Sequence, residues 1–337
     1  MKSYLETAPA RTASGLIGPR LGRATLVGAV GAVAVLALAG CSTSSGQADE
    51  SSSPEGLQSI YMANPLPSYA DWAKFDECFT AHAKELGIKG DTSGPTTLVP
   101  DNAFTVDRIS QAITQGYDAI VMVPIEPAQF NPLMQRAKDA GIIIGTVNTG
   151  DATELQDFAV GTDYPAYGKQ VAEEIGKLDG EQNVLLLTNG PGGVGDVILD
   201  SLKANAPENV TIVDTVFDGG DASQSADVVS RGLTAHPETT IVYSWEGTAV
   251  AGITTAIKEK DAVGKVFGVV NDLTDQSIAG IREGTLYGAS KQNFCGMATQ
   301  AIDYAVAVSK GEDVPALTDT GTTFVTEENL DAELDDK

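Results

Sequence analysis

Short apolar runs alternate with helix-length segments along most of this chain, and few folds accept such a pattern. The runs are Ser59–Ala63, 119–123, 142–147, 184–187, 211–216, 240–243 and 266–270. Runs this short and this continuously apolar suit strands buried on both faces, as in a parallel sheet. Between the first two, residues 70–86 carry Trp72, Phe75, Phe79, Ala83 and Leu86 at helical spacing, a stripe that a helix turns toward a core. Segments 132–140, 167–178, 198–206, 222–233 and 248–258 read the same way. Strand–helix–strand alternation implies right-handed βαβ crossovers. Over 337 residues the repeat outruns one small sheet. It predicts an α/β protein of two doubly wound, Rossmann-like lobes.

The first forty residues do not share that pattern. Lys2, Arg11, Arg20 and Arg23 are opposed only by Glu6, and residues 24–39 carry no charge. A basic stretch followed by an apolar one is the layout of an export signal. A membrane span needs about 20 apolar residues, more than this run supplies. The run ends in Leu38-Ala39-Gly40-Cys41, which resembles a bacterial lipobox, where the Cys is acylated and becomes the new N-terminus. An ordinary signal peptide with a chance Cys is the alternative. The expectation is a signal peptide over 1–40, lipid on Cys41, and a flexible Ser-rich tether over 41–56. Such a chain is exported and held at the outer face of the cell membrane. Net charge is −25, from 21 Lys and Arg against 46 Asp and Glu. That balance repels phosphate backbones and anionic lipid surfaces, so neither nucleic acid nor membrane adhesion through charge is expected. It also keeps an exported protein soluble.

Catalytic constellations are thin. His82 and His236 have no Cys or second His at metal-ligand spacing, and no G-x-S-x-G elbow occurs. The carboxylates Asp218 and Asp221 read most simply as loop residues. No metal and no cofactor is expected. One motif points elsewhere: Gly190-Pro191-Gly192-Gly193-Val194-Gly195 fits G-x-G-x-x-G after an apolar run and before a helix, with Asp214 about 20 residues on. Nucleotide binding at residues 190–195 is therefore an alternative, as is an exported enzyme, although the motif lies mid-chain.

Residues 118–142, DAIVMVPIEPAQFNPLMQRAKDAGI, resemble the first lobe of periplasmic sugar-binding proteins of the ribose-binding type. Further matches follow in order: Gly161-Thr162-Asp163 before Tyr167-Gly168, Leu233-Thr234-Ala235-His236-Pro237, Val269-Val270-Asn271-Asp272, Gly284-Thr285-Leu286 leading through Gln292, and TFVTEEN at 323–329. The resemblance spans about 58–330. It implies the type I periplasmic binding protein fold, two lobes joined by a three-segment hinge. The implied lobes are 57–160 plus 293–316 and 161–292 plus 317–330, with an acidic tail over 331–337. It also implies a monomeric solute-binding protein that closes on a small polar ligand, a sugar, sugar alcohol or similar polyol, and delivers it to an ABC importer permease. A transcriptional effector domain of the same fold fits the export signal poorly.

The resemblance also assigns candidate ligand contacts. Asp272 matches a ligand-binding Asp, and Gln292 a hinge Gln that touches ligand. Asn148 and Thr149 follow the third apolar run, where sugar binders carry Asp-Arg; the Arg is missing here. Asp196 falls where relatives often hold a ligand-contacting Arg. Glu246 takes the place of an Asn or Asp, with Trp245 beside it to stack. Asn64 follows the first apolar run, and Tyr69 and Trp72 open the first helix, Trp72 serving equally well as core. Each polar residue has a plain alternative, since strand ends need turns and caps. The resemblance further places Cys78 in the first helix of the first lobe and Cys295 just past Gln292, where the chain re-enters that lobe. It thereby implies a disulfide between them, two free buried cysteines being the alternative.

Overall fold

The computed structural model describes residues 56–148 and 154–335. The expected signal peptide, Cys41, the tether up to residue 55, and Thr149 lie outside them. Among the described residues, twelve strands form two six-stranded sheets. The first contains β1 (Ser59–Ala63), β2 (Lys89–Ser93), β3 (Ala119–Met122), β4 (Ile143–Val147), β5 (Phe158–Gly161) and β11 (Leu317–Asp319). The second contains β6 (Gln182–Thr188), β7 (Val210–Phe217), β8 (Ile241–Ser244), β9 (Phe267–Asn271), β10 (Leu286–Gln292) and β12 (Thr322–Thr326). Their orders are β11-β5-β4-β3-β1-β2 and β12-β10-β9-β8-β6-β7. Pairing is parallel throughout, except that β12 runs antiparallel to β10. Both sheets follow one plan: β1 corresponds to β6, β2 to β7, β3 to β8, β4 to β9 and β5 to β10.

Helices cover both faces of each sheet, as doubly wound lobes require. In the first lobe, α1 (Ala70–Glu85) and α9 (Phe294–Ser309) pack on one face through Phe75, Phe79, Met297 and Ile302. On the other face, α2 (Asn102–Gln115) and α3 (Pro127–Asp139) contribute Ile109, Phe130 and Met134. In the second lobe, α4 (Tyr164–Gly176) and α5 (Gly193–Ala204) share a core around Tyr167, Ile198 and Leu202. Opposite them lie α6 (Ser225–Ala235), α7 (Val250–Glu259) and α8 (Asp275–Arg282), around Val229, Ile253 and Ile281. The helices start where local chemistry allows. Asp101 caps α2 on the Phe104 amide at 3.0 Å, and Asp163 caps α4 on the Ala166 amide at 2.9 Å. Asn293 caps α9 on the Gly296 amide at 2.8 Å. Each such bond satisfies one of the four amides a helix start leaves open, worth about 1 kcal/mol. The helix expected from Pro132 begins instead at Pro127, with Pro132 inside it; the first-turn preference of proline fits either residue.

Three connections join the lobes, following β5, β10 and β11. They are laced together: the Thr162 hydroxyl donates to Gln292 Oε1 at 2.9 Å, and the Thr320 amide donates to the Gly161 carbonyl at 2.8 Å. One expected boundary moves. Leu317–Asp319 still pairs with β5 in the first sheet, so the last crossing falls at Thr320-Gly321 and not at 316/317. Main-chain pairing decides this, and three polar-flanked residues give little pattern to read. The expected acidic tail also begins as structure: α10 (Leu330–Asp335) docks through buried Leu330, and Lys291 Nζ lies 3.0 Å from a Glu333 carboxylate oxygen.

α1 and α9 lie side by side, and a disulfide joins Cys78 to Cys295 with their Cα atoms 5.4 Å apart. Both cysteines belong to the first lobe, so the bond does not cross to the second.

Candidate functional site

Parallel strands all end on one side of their sheet, so the two lobes bring two sets of strand C-termini to one place. Asn148 follows β4 and Asp272 follows β9, the corresponding strand. Both take left-handed backbone, φ 50° and 64°, a conformation that Asn and Asp tolerate better than other side-chain-bearing residues. This turns the chain abruptly at the sheet edge and leaves each side chain facing the other lobe.

Each of the two is met by a tyrosine from the opposite lobe. Tyr69, the N-cap residue of α1, donates its hydroxyl to Asp272 Oδ2 at 2.7 Å, 203 positions away in sequence. Tyr164, in the first turn of α4, donates to the Asn148 carbonyl at 3.1 Å and also contacts Asn148 Oδ1. Gln292, at the end of β10 in the hinge, donates Nε2 to Asp272 Oδ1 at 3.1 Å. Behind them, the Tyr167 hydroxyl donates to Asn271 Oδ1 at 2.7 Å. The Asp272 main chain is fixed as well: its amide donates to the Ser290 carbonyl at 2.8 Å, and its carbonyl accepts from the Ser277 hydroxyl at 2.8 Å.

Burial sets the electrostatics. Asp272 is only 6% exposed, and desolvation pushes its carboxyl up to about 6 against the pull of the Tyr69 and Gln292 hydrogen bonds. The Tyr69 hydroxyl is pushed well above its ordinary range, by burial first and by Asp272 second. Tyr164 moves the same way for the same two reasons. These tyrosines are therefore neutral donors at physiological pH. Glu246, just past β8, rises to about 7 through burial, with Asp218 adding to the effect and the Asn189 main-chain amide opposing it.

The candidate residues sort themselves by contact. Tyr69, Asn148, Asp272 and Gln292 converge where the lobes meet. Glu246 lies one residue before Gly247, where a Cβ would collide with Tyr69 Oη and sit 2.9 Å from Asp272 Oδ2. Trp245 donates Nε1 to the Thr188 hydroxyl at 3.2 Å and lies against Gly195. Trp72 takes its core alternative: it is buried, with ring centroids 5.4 Å from Phe75 and 5.1 Å from Phe294. Asn64 is wholly buried, its amide donating to the Trp72 carbonyl at 3.0 Å and its carbonyl oxygen accepting from the Leu66 amide at 2.8 Å. Its polar groups shape the β1–α1 loop. Asp196 folds back onto its own loop, accepting from the Gly192 amide at 2.7 Å. Asp196 thus places a carboxylate on the glycine-rich loop where the nucleotide alternative needs phosphate, and like charges repel there. Asp214 is also unsuited to a ribose, since it sits within β7 and faces His236 Nε2 at 3.1 Å.

Sequence reasoning missed Thr162, Tyr164, Tyr167 and Asn271. Tyr164 and Tyr167 had a signal: three residues apart at a helix start, they share a face. Among the described residues no group of His, Cys, Asp and Glu has a metal-binding arrangement, and no helix is long and apolar enough to cross a membrane.

The family model described as "Periplasmic binding protein domain" matches residues 60–313. A xylitol-binding protein of Mycolicibacterium smegmatis is 25% identical over 244 residues, covering 70% of this chain and 68% of that protein. A D-ribose/D-allose-binding protein of Pseudomonas aeruginosa is 21% identical over 242 residues, covering 67% and 71%. Of solved structures, a glucose-galactose binding protein from Geobacillus stearothermophilus superposes with a TM-score of 0.74 at 20% identity, covering 82% of this chain and 99% of that one.

Proposed function

This chain belongs to the periplasmic binding protein domain family, and from that premise we propose that it binds a sugar or polyol between its lobes, without turnover, for an ABC importer. The observation that carries this reading is the convergence on Asp272. A buried carboxylate at the end of β9 faces the other lobe and is held by a hinge glutamine and a tyrosine from across the cleft. Carboxylate, amide and phenol groups suit a ligand made of hydroxyls, and their bonds strengthen when lobe closure removes water. The xylitol and ribose/allose relatives point to the same ligand class. Asp272, Gln292, Asn148 and Glu246 are assigned as ligand contacts, with Tyr69 and Tyr164 closing on them.

Cys41 is assigned as the lipid attachment, which holds the binding domain at the outer face of the membrane. Cys41→Ser then abolishes membrane partition or blocks processing; unchanged mass and partition refute the anchor. Function is tested by thermal shift and calorimetry against a carbohydrate and polyol panel, with NMR of each ligand to detect turnover. A ligand that binds stabilises the fold by mass action. Asp272→Ala weakens that binding by about 1–3 kcal/mol. An unaltered dissociation constant removes Asp272 from the site.

A further inference from the structure

The three carboxylates at the strand ends of the second lobe have no cationic partner. Asp218 follows β7, Glu246 follows β8 and Asp272 follows β9. Among the described residues, no Lys, Arg or His forms an ion pair with any of them. Two are fully engaged by neutral donors. Asp218 accepts from the Ser225 hydroxyl at 2.7 Å and the Gly220 amide at 3.0 Å. Asp272 accepts from Tyr69 and Gln292. Glu246 is different: its Oε1 is wholly buried and receives no hydrogen bond. A buried acceptor without a donor is costly, and an ionised one more so.

Glu246 is also well placed to meet a ligand. Its neighbour Gly247 touches both Tyr69 from the first lobe and Asp272 from the second, so Glu246 borders the point where the lobes close. The groups that act on it are the Asp218 carboxylate and the Asn189 main-chain amide, and neither is a cation. The Arg that the family resemblance leads one to expect after Asn148 is absent, and Asp196 stands where a second Arg is expected.

We propose that the ligand is a polyol carrying a protonated amine, and that Glu246 receives the ammonium through its unpaired carboxylate oxygen. This rests on the polyol-binding reading of the cleft and narrows it. One ammonium satisfies the orphaned oxygen and offsets the mutual repulsion of Glu246 and Asp218. A hydroxyl donor satisfies only the first. An anionic sugar, such as a sugar phosphate or uronic acid, is rejected by the same three charges. The ordinary position of Glu246, raised by burial and Asp218 to about 7, is drawn back down when an ammonium sits beside it.

The experiment is calorimetry with matched pairs, glucamine against sorbitol and galactosamine against galactose, on the wild type and Glu246→Gln. At pH 7.5 the amine of a binding pair is expected to bind the wild type at least about tenfold more tightly than its hydroxyl counterpart. That preference shrinks toward pH 5, where Glu246 is protonated, and nearly vanishes in Glu246→Gln. Glu246→Gln keeps the side-chain shape, and a melting curve confirms its fold. If the neutral member binds more tightly and Glu246→Gln leaves the ratio unchanged, the amine inference is overturned while polyol binding stands. If no member of either pair binds, and the neutral panel is also silent, both readings fall.

Discussion

Replacing Tyr69 by Phe removes one oxygen and leaves the ring. That oxygen donates to Asp272 Oδ2 at 2.7 Å, from the first lobe to the second. Asp272 is 6% exposed, and its other oxygen is held by Gln292 at 3.1 Å. A hydrogen bond to a charged group of this kind is worth about 1.5–3 kcal/mol. Because donor and acceptor lie in different lobes, the loss falls on the association of the lobes and spares each lobe's core. The closed form should therefore lose roughly tenfold to a hundredfold in population relative to open forms, at about 1.4 kcal/mol per factor of ten. The Asp272 carboxyl, pushed up to about 6 by burial against the two hydrogen bonds, should move higher when one of them is removed. Small-angle X-ray scattering reads the first effect as an increased radius of gyration in ligand-free protein. A carbon-13 titration of the Asp272 carboxyl reads the second. If Tyr69→Phe leaves both the radius and the titration unchanged, the hydroxyl is not what holds the lobes at this point.

Two further predictions concern stability. Glu246 is pushed from 4.5 up to about 7 in the fold, so its protonated form is the one the fold favours. Its unfavourable contribution is absent below about pH 4.5 and grows between there and pH 7. Glu246→Gln should therefore stabilise ligand-free protein at pH 8 by about 1–2 kcal/mol, a figure reduced for its partial exposure, with little effect at pH 4. Denaturant titrations at both pH values check this, and equal effects at both contradict it. Cys78 and Cys295 close a loop across 217 positions. The chain-entropy expression sets a ceiling near 5 kcal/mol for such a loop, with about 2–5 kcal/mol expected on loss of a native bond. Cys295→Ser should lower the unfolding free energy accordingly, and neither thiol should titrate in denatured, unreduced protein.

How legible the fold was depended on burial. The apolar runs 119–123, 142–147, 240–243 and 266–270 fall within about a residue of β3, β4, β8 and β9, because a strand covered on both faces has no polar side to display. β2 reads KGDTS and shows no such pattern; it is a sheet edge, paired on one side only and held by main-chain bonds to β1. α2 announced its ends, with Asp101 as cap and Gly116 at φ 76°, but its buried stripe is only Thr105, Ile109 and Ala112, too weak to stand out as a period. The contacts where the lobes meet were legible where one residue's place along a strand decided them, as for Asp272 and Gln292. They were hidden where two distant segments decide them together. Nothing local to Tyr69 tells that its hydroxyl will meet a residue 203 positions on. Asn64 follows β1 and Trp72 lies in the first turn of α1, yet the amide of one and the ring of the other turn inward.

The two left-handed residues explain why these contacts belong together. Asn148 and Asp272 follow corresponding strands of two sheets built on one plan. Holding a residue with a side chain in that conformation costs on the order of 1–2 kcal/mol. In Asn148 and Asp272 it buys a sharp exit that points an acceptor away from its own sheet. Each acceptor is then met by a phenol of the opposite lobe, Tyr164 for Asn148 and Tyr69 for Asp272. Neither contact exists within one lobe; both bridge the two lobes. On the proposed function, a ligand between the sheets offers these two acceptors further hydroxyl donors beside the tyrosines. Sugar and polyol hydroxyls are donors of the same kind. On the proposed assignment of Asn148 and Asp272 as ligand contacts, the spacing of hydroxyls along the ligand, more than its overall size, is the property the two strand ends select.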